Sequence, residues 1–159
     1  MKPKPQKRAT ALQPLSREHH HGLLLSWKIR AGLKNNVSLA RIKKYCDFFY
    51  EEVLKDHFIM EELHVFTLLG SDNEHVKKAL DDHRRLHVLF QQKEPSLECI
   101  TTIESDLADH IRFEERVLFN EIQDVVSEQS LQKILDFHNK EVGSNLEKWK
   151  DEFWVYENN

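Results

Sequence analysis

Two segments of this sequence carry the same pattern, in which a histidine is followed four residues later by a glutamate. The segments are DHFIMEE, residues 56–62, and DHIRFEE, residues 109–115. Residues four apart lie on one face of an α-helix, so His57 would point to the same spot as Glu61, and His110 to the same spot as Glu114. In an apolar interior such groups need a partner, and a metal ion is one. The repeat therefore predicts a metal site between helices.

The composition favours helices throughout the chain. Of 159 residues, 40% are hydrophobic and 31% are charged, and only four are glycine and four proline. Long segments rich in Leu, Glu, Lys and Arg with so few breaks are typical of α-helices. A chain of this length forms one ordinary domain with a substantial core. We therefore predict an all-α fold.

Three breaks and one short turn divide the chain into five predicted helices. These run over residues 14–33, 38–70, 74–92, 96–126 and 128–153. Ser16 and Ser38 are predicted N-caps of the first two helices. Because short turns join the first four, we predict an up-down-up-down four-helix bundle over residues 14–127, with an additional C-terminal helix packed on it within residues 128–159. Residues 1–13 are predicted to form a flexible basic tail.

Charge and hydropathy exclude several classes of protein. The net charge of −4 is not that of a typical nucleic-acid-binding protein, so we predict no nucleic-acid partner. No apolar run approaches the roughly 20 residues of a membrane span. The N-terminal residues lack the apolar core of a signal peptide. Cys46 and Cys99 are interpreted as buried reduced thiols. Together these features predict a cytoplasmic protein with no membrane partner.

The four-helix arrangement would bring histidines from every helix to one level of the bundle. With one histidine taken from the first helix, the predicted metal ligands are His20, His57, Glu61, His83, His87, His110 and Glu114. His83 and His87 are again four apart and share a face. The histidines at positions 64, 75 and 138 are interpreted as structural or solvent-facing.

The predicted ligand set indicates two metal ions. It exceeds what one tetrahedral zinc ion takes, and imidazole with carboxylate and no thiolate suits iron or manganese. Two six-coordinate ions offer roughly a dozen positions, of which five imidazoles, two bridging carboxylates and an oxo or hydroxo bridge would fill about eleven. We therefore predict two Fe ions with an oxo or hydroxo bridge, with manganese or a mixed pair as alternatives. One position would stay open for a small ligand, which indicates dioxygen chemistry.

Four segments resemble the hemerythrin family, especially its bacterial HHE cation-binding branch. They are REHHHGLLL, DHFIMEELHVFTLL, DDHRRLHVLF and DHIRFEERVLFNEI. The resemblance covers about residues 15–124 and implies a four-helix bundle around a non-haem di-iron centre. It implies that both His-xxx-Glu pairs bind metal. His83 and His87 match the His-xxx-His pair of the hemerythrins that bind oxygen reversibly.

The sequence departs from the pattern of those oxygen carriers at two places. Their last helix carries His-xxxx-Asp, whereas this chain has His110 followed by Glu114, so Glu115 is the alternative to Glu114. The first helix offers three consecutive histidines. We prefer His20 because it shares a face with Leu and Trp residues, and His19 is the alternative.

Two classes of function fit these features. The leading prediction is a non-enzymatic di-iron protein that binds or senses dioxygen, or senses iron. The alternative is a di-iron enzyme or repair protein, which acts on peroxide or nitric oxide or donates iron to damaged iron–sulfur clusters. Replacement of His87 by solvent would favour the alternative. A ferritin-like oxidase is disfavoured, because such sites use Glu-xx-His on two helices and the predicted fourth helix has no such motif.

Overall fold

The computed structural model describes residues 7–138 and 145–155, and this part of the chain contains helices and no strands. Four long helices are followed by a short one. The helices are α1 (Gln13–Lys34), α2 (residues 39–68), α3 (Glu74–Gln91), α4 (residues 97–125) and α5 (Glu128–Phe137). The predicted all-α fold is confirmed. Among the described residues, no helix combines the length and the apolar character that crossing a membrane requires.

Polar residues in the turns fix where the helices begin. Side chains that accept backbone N–H groups cap four of them: Ser38 on α2, Asn73 on α3, Ser96 on α4 and Ser127 on α5. The predicted cap at Ser16 is wrong, because α1 begins three residues earlier at Gln13, with Pro14 in its first turn. The Ser16 hydroxyl instead donates to Oε1 of Glu115 at 2.6 Å. Side-chain capping satisfies N–H groups that a helix leaves unpaired at its start.

Helices α2 and α4 change their hydrogen-bonding pattern at the glutamates of the repeated motif. Helix α2 consists of Leu39–Phe49, a π-helical turn over Tyr50–Leu54, then Lys55–Met60, a second π-helical turn over Glu61–Val65, and a 3₁₀ turn over Phe66–Leu68. Helix α4 consists of Leu97–Phe113, a π-helical turn over Glu114–Leu118, and Phe119–Val125. Such turns occur frequently at functional sites. In both helices one begins at the motif glutamate.

The buried apolar residues form two clusters, one on each side of the repeated motifs. The first apolar cluster includes Leu25 of α1, Phe58 of α2, Leu86 of α3 and Ile111 of α4. The second apolar cluster includes Leu15, Val65, Ala79 and Leu118 from the same four helices. The chain therefore runs from the second cluster to the first in α1 and α3, and in the opposite direction in α2 and α4. This order confirms the predicted up-down-up-down bundle.

The described segment before α1, residues 7–12, contacts α4. Arg8 donates to the side-chain oxygen of Gln123 at 2.7 Å and to the backbone oxygen of Glu115 at 2.7 Å. These contacts involve part of the segment predicted to form a flexible basic tail, residues 1–13. Residues 1–6 lie outside the described part of the chain.

The predicted C-terminal helix is shorter than expected. It ends at Phe137, and the later described residues form one 3₁₀ turn, Leu146–Lys148, and irregular chain. Residues 139–144 lie outside the described ranges. The ring of Phe153 packs against the bundle at Gly32, where a Cβ atom would lie 2.9 Å from the ring. Because contacts with the bundle bury this aromatic residue without a helix, apolar spacing alone overestimated the helix.

Candidate metal centre

Six buried polar side chains from the four long helices converge between the two apolar clusters. They are His19, His57, Glu61, His83, His110 and Glu114. Both glutamates are fully buried, with 0% of their surface exposed. Carboxylates in such a position require compensating charge or hydrogen bonds. We refer to these six residues as the His/Glu cluster.

The His/Glu cluster divides into two groups that share both glutamates. One group is His19, His57, Glu61 and Glu114, and the other is Glu61, His83, His110 and Glu114. Within each group, one ligand atom from each residue lies within 4.8 Å of the others. Two neighbouring cations would each find two imidazole nitrogens and two carboxylate oxygens there. Shared carboxylates are therefore placed to bridge a pair of ions.

The atoms that face the centre of the cluster support this fit. Those without a hydrogen-bond partner within the described residues are Nε2 of His19, His57 and His110, both oxygens of Glu61, and Oε2 of Glu114. These atoms contact other members of the cluster, as Nε2 of His19 lies 3.2 Å from Oε2 of Glu114, and buried carboxylates in such a position require compensating positive charge. Each is a lone-pair donor that a cation would satisfy, so the side chains present fit a metal pair.

Three of the four histidines also contact a carboxylate through the nitrogen that faces away from the centre. Nδ1 of His19 lies 2.7 Å from Glu115, Nδ1 of His57 lies 2.8 Å from Glu18, and Nδ1 of His110 lies 3.0 Å from Asp82. A carboxylate at Nδ1 favours the tautomer with the proton there, which leaves the Nε2 lone pair for a metal. His83 differs, because its Nδ1 has no hydrogen-bond partner and lies 3.5 Å from Glu62.

Burial and neighbouring carboxylates act against each other on the pKa values in the cluster. Burial lowers the pKa of His19, but its contacts with the carboxylates of Glu114, Glu115 and Glu61 together outweigh burial and raise the pKa well above its usual value. Burial also lowers the pKa of His57, but the contacts of this ring with Glu61 and Glu18 outweigh burial and raise the pKa to about 9. Burial raises the pKa of Glu114, but the charge of His110 and hydrogen bonds within the cluster together outweigh it and hold that pKa well below normal. Positive charge is thus favoured at the centre, whether protons or metal ions carry it.

Aromatic rings cover the cluster on two sides. Phe119 stacks on His19 with ring centroids 5.3 Å apart, and Phe58 stacks on His83 at 3.9 Å. Both phenylalanines are buried. An apolar wall of this kind limits the access of water to a metal centre.

Two of the predicted ligands lie outside the cluster. His20 is exposed, and its neighbour His19 occupies the position predicted for it. The residues that favoured His20 were misleading, because Leu24 and Trp27 are themselves 37% and 49% exposed. His87 is also exposed, and its Nδ1 forms a hydrogen bond with the Tyr50 hydroxyl at 2.5 Å.

His87 lies outside the cluster because of how the side chains of α3 are oriented. The inward-facing residues after His83 are Leu86 and Phe90, which are buried in the first apolar cluster. His87 lies to one side of this face. Glu115, the predicted alternative to Glu114, belongs to neither group of ligand atoms. It contacts Nδ1 of His19, the ring nitrogen that faces away from the centre.

Sequence reasoning missed two of the carboxylates that contact the outward nitrogens, Asp82 and Glu18. Asp82 precedes His83 and points about 100° away from it on the same helix, so spacing within α3 gives it no place at the centre. That direction takes it to His110 on α4. Glu18, next to His19, reaches His57 on α2 in the same way. An acidic residue next to a predicted ligand in sequence could therefore have indicated these contacts, if its partner had been sought on the neighbouring helix.

Comparison with protein-family models gives a match. The family model described as Hemerythrin HHE cation binding domain matches residues 10–122. The match covers more than half of the chain, contains the whole His/Glu cluster, and confirms the resemblance inferred from the motifs. Helix α5 lies beyond it. Neither the curated proteins nor the solved structures that were searched gave a match.

Proposed function

Because the chain belongs to the hemerythrin HHE cation-binding domain family, we propose that its His/Glu cluster holds two iron ions and binds dioxygen or a related small ligand. The family match and the cluster already make this a metal-binding protein. The observation that supports a pair of ions is the sharing of Glu61 and Glu114 between two four-residue groups. The histidines of α1 and α2 would hold one ion, and those of α3 and α4 the other.

The donor atoms favour iron over zinc. The cluster contains imidazoles and carboxylates, and both cysteines of the chain lie elsewhere in the core. Nitrogen and oxygen donors without thiolate suit iron or manganese. When bound, two iron ions would supply the redox chemistry by which dioxygen or peroxide is held or reduced. The protein's part is to orient the imidazoles through outer carboxylates and to exclude water with stacked aromatic rings.

The number of protein ligands leaves room for a small molecule. Four imidazoles and two bridging carboxylates would fill about eight of roughly a dozen positions around two six-coordinate ions. A solvent-derived bridge would take about two more, so about one position on each ion would stay open. The set with His87 as a ligand would have left a single open position.

The placement of His87 favours a second candidate function, turnover of peroxide or nitric oxide. Because the His87 ring is hydrogen-bonded to Tyr50, solvent or substrate can take the coordination position that a fifth imidazole would have filled. Substitution His87→Ala should then leave the iron content unchanged. Peroxide or nitric oxide consumption by the iron-loaded protein, compared with the metal-free protein, distinguishes an enzyme from a binding protein.

Metal analysis and absorption spectroscopy test the proposal together. Protein loaded with ferrous iron without oxygen and then desalted should retain about two ions per chain, as two adjacent four-residue sites require. Exposure to air should produce an absorption band that is absent under nitrogen. Failure to retain iron would contradict the metal assignment. Retention without an oxygen-dependent band would contradict the oxygen ligand alone.

A further inference from the structure

Helix α5 lies outside the residues matched by the family model, yet it ends beside the His/Glu cluster. Leu131 and Ile134 bury one face of it in the second apolar cluster. At its end, the ring of Phe137 stacks on His64 of α2, with centroids 4.0 Å apart and planes 8° from parallel. These contacts place the next residue, His138, against α1.

His138 reaches the cluster through one carboxylate. Its Nε2 lies 3.2 Å from Oε1 of Glu18, and the same oxygen lies 2.8 Å from Nδ1 of His57. Glu18 is 4% exposed and the His138 side chain 8% exposed, so water has little access to these contacts. Oε2 of Glu18 has no hydrogen-bond partner within the described residues.

The other two outer carboxylates are held differently. Glu115 also contacts Ser16 at 2.6 Å and Arg8 at 3.2 Å. Asp82 also contacts Lys78 at 2.8 Å and Arg85 at 2.7 Å. Those partners belong to the segment before α1, to α1 or to α3, all within or next to the matched bundle. For Glu18, among the described residues, the corresponding partner is His138, the residue that follows α5.

We propose that His138 is a positioning residue of the metal centre, which holds Glu18 so that Glu18 orients His57. The inference rests on the proposed occupation of the cluster by a pair of metal ions, but on neither the oxygen ligand nor any catalytic activity. His138 itself does not contact the cluster. Helix α5 thus extends the matched domain with a residue that supports one of its ligands.

The effect should be confined to one of the two ions. His57 belongs to the group with His19, whereas the histidines of the other group contact Asp82 or Glu62. Loss of His138 would leave Glu18 with one partner and free the His57 ring to change tautomer or orientation. Loss of a group that orients a ligating histidine typically weakens metal binding by about 10–100-fold. Because His138 acts through Glu18, the lower end of that range is expected.

The test measures metal release from the full chain. Wild type, His138→Ala and His138→Gln are loaded with ferrous iron under nitrogen and mixed with excess ferrous chelator, and the absorbance of the iron chelate is followed. His138→Ala should release one of its two ions about tenfold faster than wild type and the other at the wild-type rate. In His138→Gln the side-chain amide can donate to Glu18, so slow release should be restored.

Each other outcome contradicts the inference in a recognisable way. Unchanged release from His138→Ala, with two ions bound by wild type, would overturn the positioning role alone. Equal acceleration in His138→Ala and His138→Gln would show that a donor to Glu18 is not what matters. Failure of the wild type to bind metal would overturn the proposed function as well. If His138→Ala does not fold, His138→Asn, whose shorter amide falls short of Glu18, takes its place in the comparison.

Discussion

Asp82 of α3 lies 3.0 Å from Nδ1 of His110 on α4, although its neighbour in sequence is His83. The other outer carboxylates follow the same rule. Glu18 of α1 contacts His57 of α2, and Glu115 of α4 contacts His19 of α1. Each acid lies beside one cluster residue in sequence and orients a histidine on the neighbouring helix. The packing of the helices and the geometry of the site are therefore coupled.

Substitution Asp82→Ala should weaken metal binding while the bundle stays folded. The His110 imidazole would lose the group that fixes its tautomer, a loss that typically costs about 10–100-fold in metal affinity. Competition with a chelator of known affinity measures the change. The control is Asp81→Ala, because Asp81 is exposed and its ion pair is with Arg84 on the protein surface. Equal affinity in both variants would show that Asp82 has no role at the centre.

Two single substitutions test whether His19 or His20 is the metal ligand from α1. His19→Ala should lower the metal content from about two ions per chain to about one, because the group on its side keeps a single imidazole. His20→Ala removes an exposed imidazole and should leave the content unchanged. Metal analysis after desalting measures both variants. Loss of one ion in His20→Ala but not in His19→Ala would instead support His20, the ligand predicted from the sequence.

The repeated motif made the fold and most of the cluster predictable. Its four-residue spacing determines that His57 and Glu61 share a face in any α-helix, whatever the packing. The choice between His19 and His20 instead depends on how α1 is rotated, and exposed Leu and Trp residues obscured that rotation. The contact of His138 with Glu18 depends on the docking of α5, which spacing within one helix does not determine.

The buried thiol of Cys46 should make stability depend on alkaline pH. Cys46 and Cys99 are both buried free thiols, as predicted, and burial raises the pKa of Cys46 to about 12. In the unfolded chain a thiol has a pKa of about 8.5, so between about pH 8.5 and 12 the unfolded state releases a proton that the folded state keeps. Stability should therefore fall as pH rises through this range, by at most about 1.4 kcal/mol per pH unit from this group.

Denaturant titrations at several pH values measure that slope. Wild type and Cys46→Ala are compared between about pH 7.5 and 10, where the thiol of the unfolded chain ionises. The variant will be less stable at every pH because of the cavity it creates, but its stability should fall less steeply with pH. Tyr45, whose pKa burial raises to about 12, ionises in the unfolded chain only near about pH 10, so it adds little to the slope over this range. Parallel curves would contradict the assignment of the slope to Cys46.

The close approach of α1 to α4 at Gly22 should make even a methyl group destabilising. A Cβ atom at this position would lie 2.5 Å from Cδ1 of Ile111. Alanine is favoured over glycine in a helix by about 1 kcal/mol, but overpacking a core typically costs about 1–3 kcal/mol. Because Ile111 is buried beside His110, we expect the second effect to win and Gly22→Ala to lower the free energy of unfolding.

A double-mutant cycle separates the two effects. Ile111→Val removes the Cδ1 atom that the new methyl group would meet, while the next side-chain atom, Cγ1, lies at an ordinary 3.8 Å. In the Ile111→Val background, Gly22→Ala should therefore be neutral or stabilising, since the helix propensity of alanine then acts without the clash. Denaturant unfolding of the four proteins measures the coupling. The same destabilisation in both backgrounds would mean that the cost arises elsewhere than at the contact between Gly22 and Ile111.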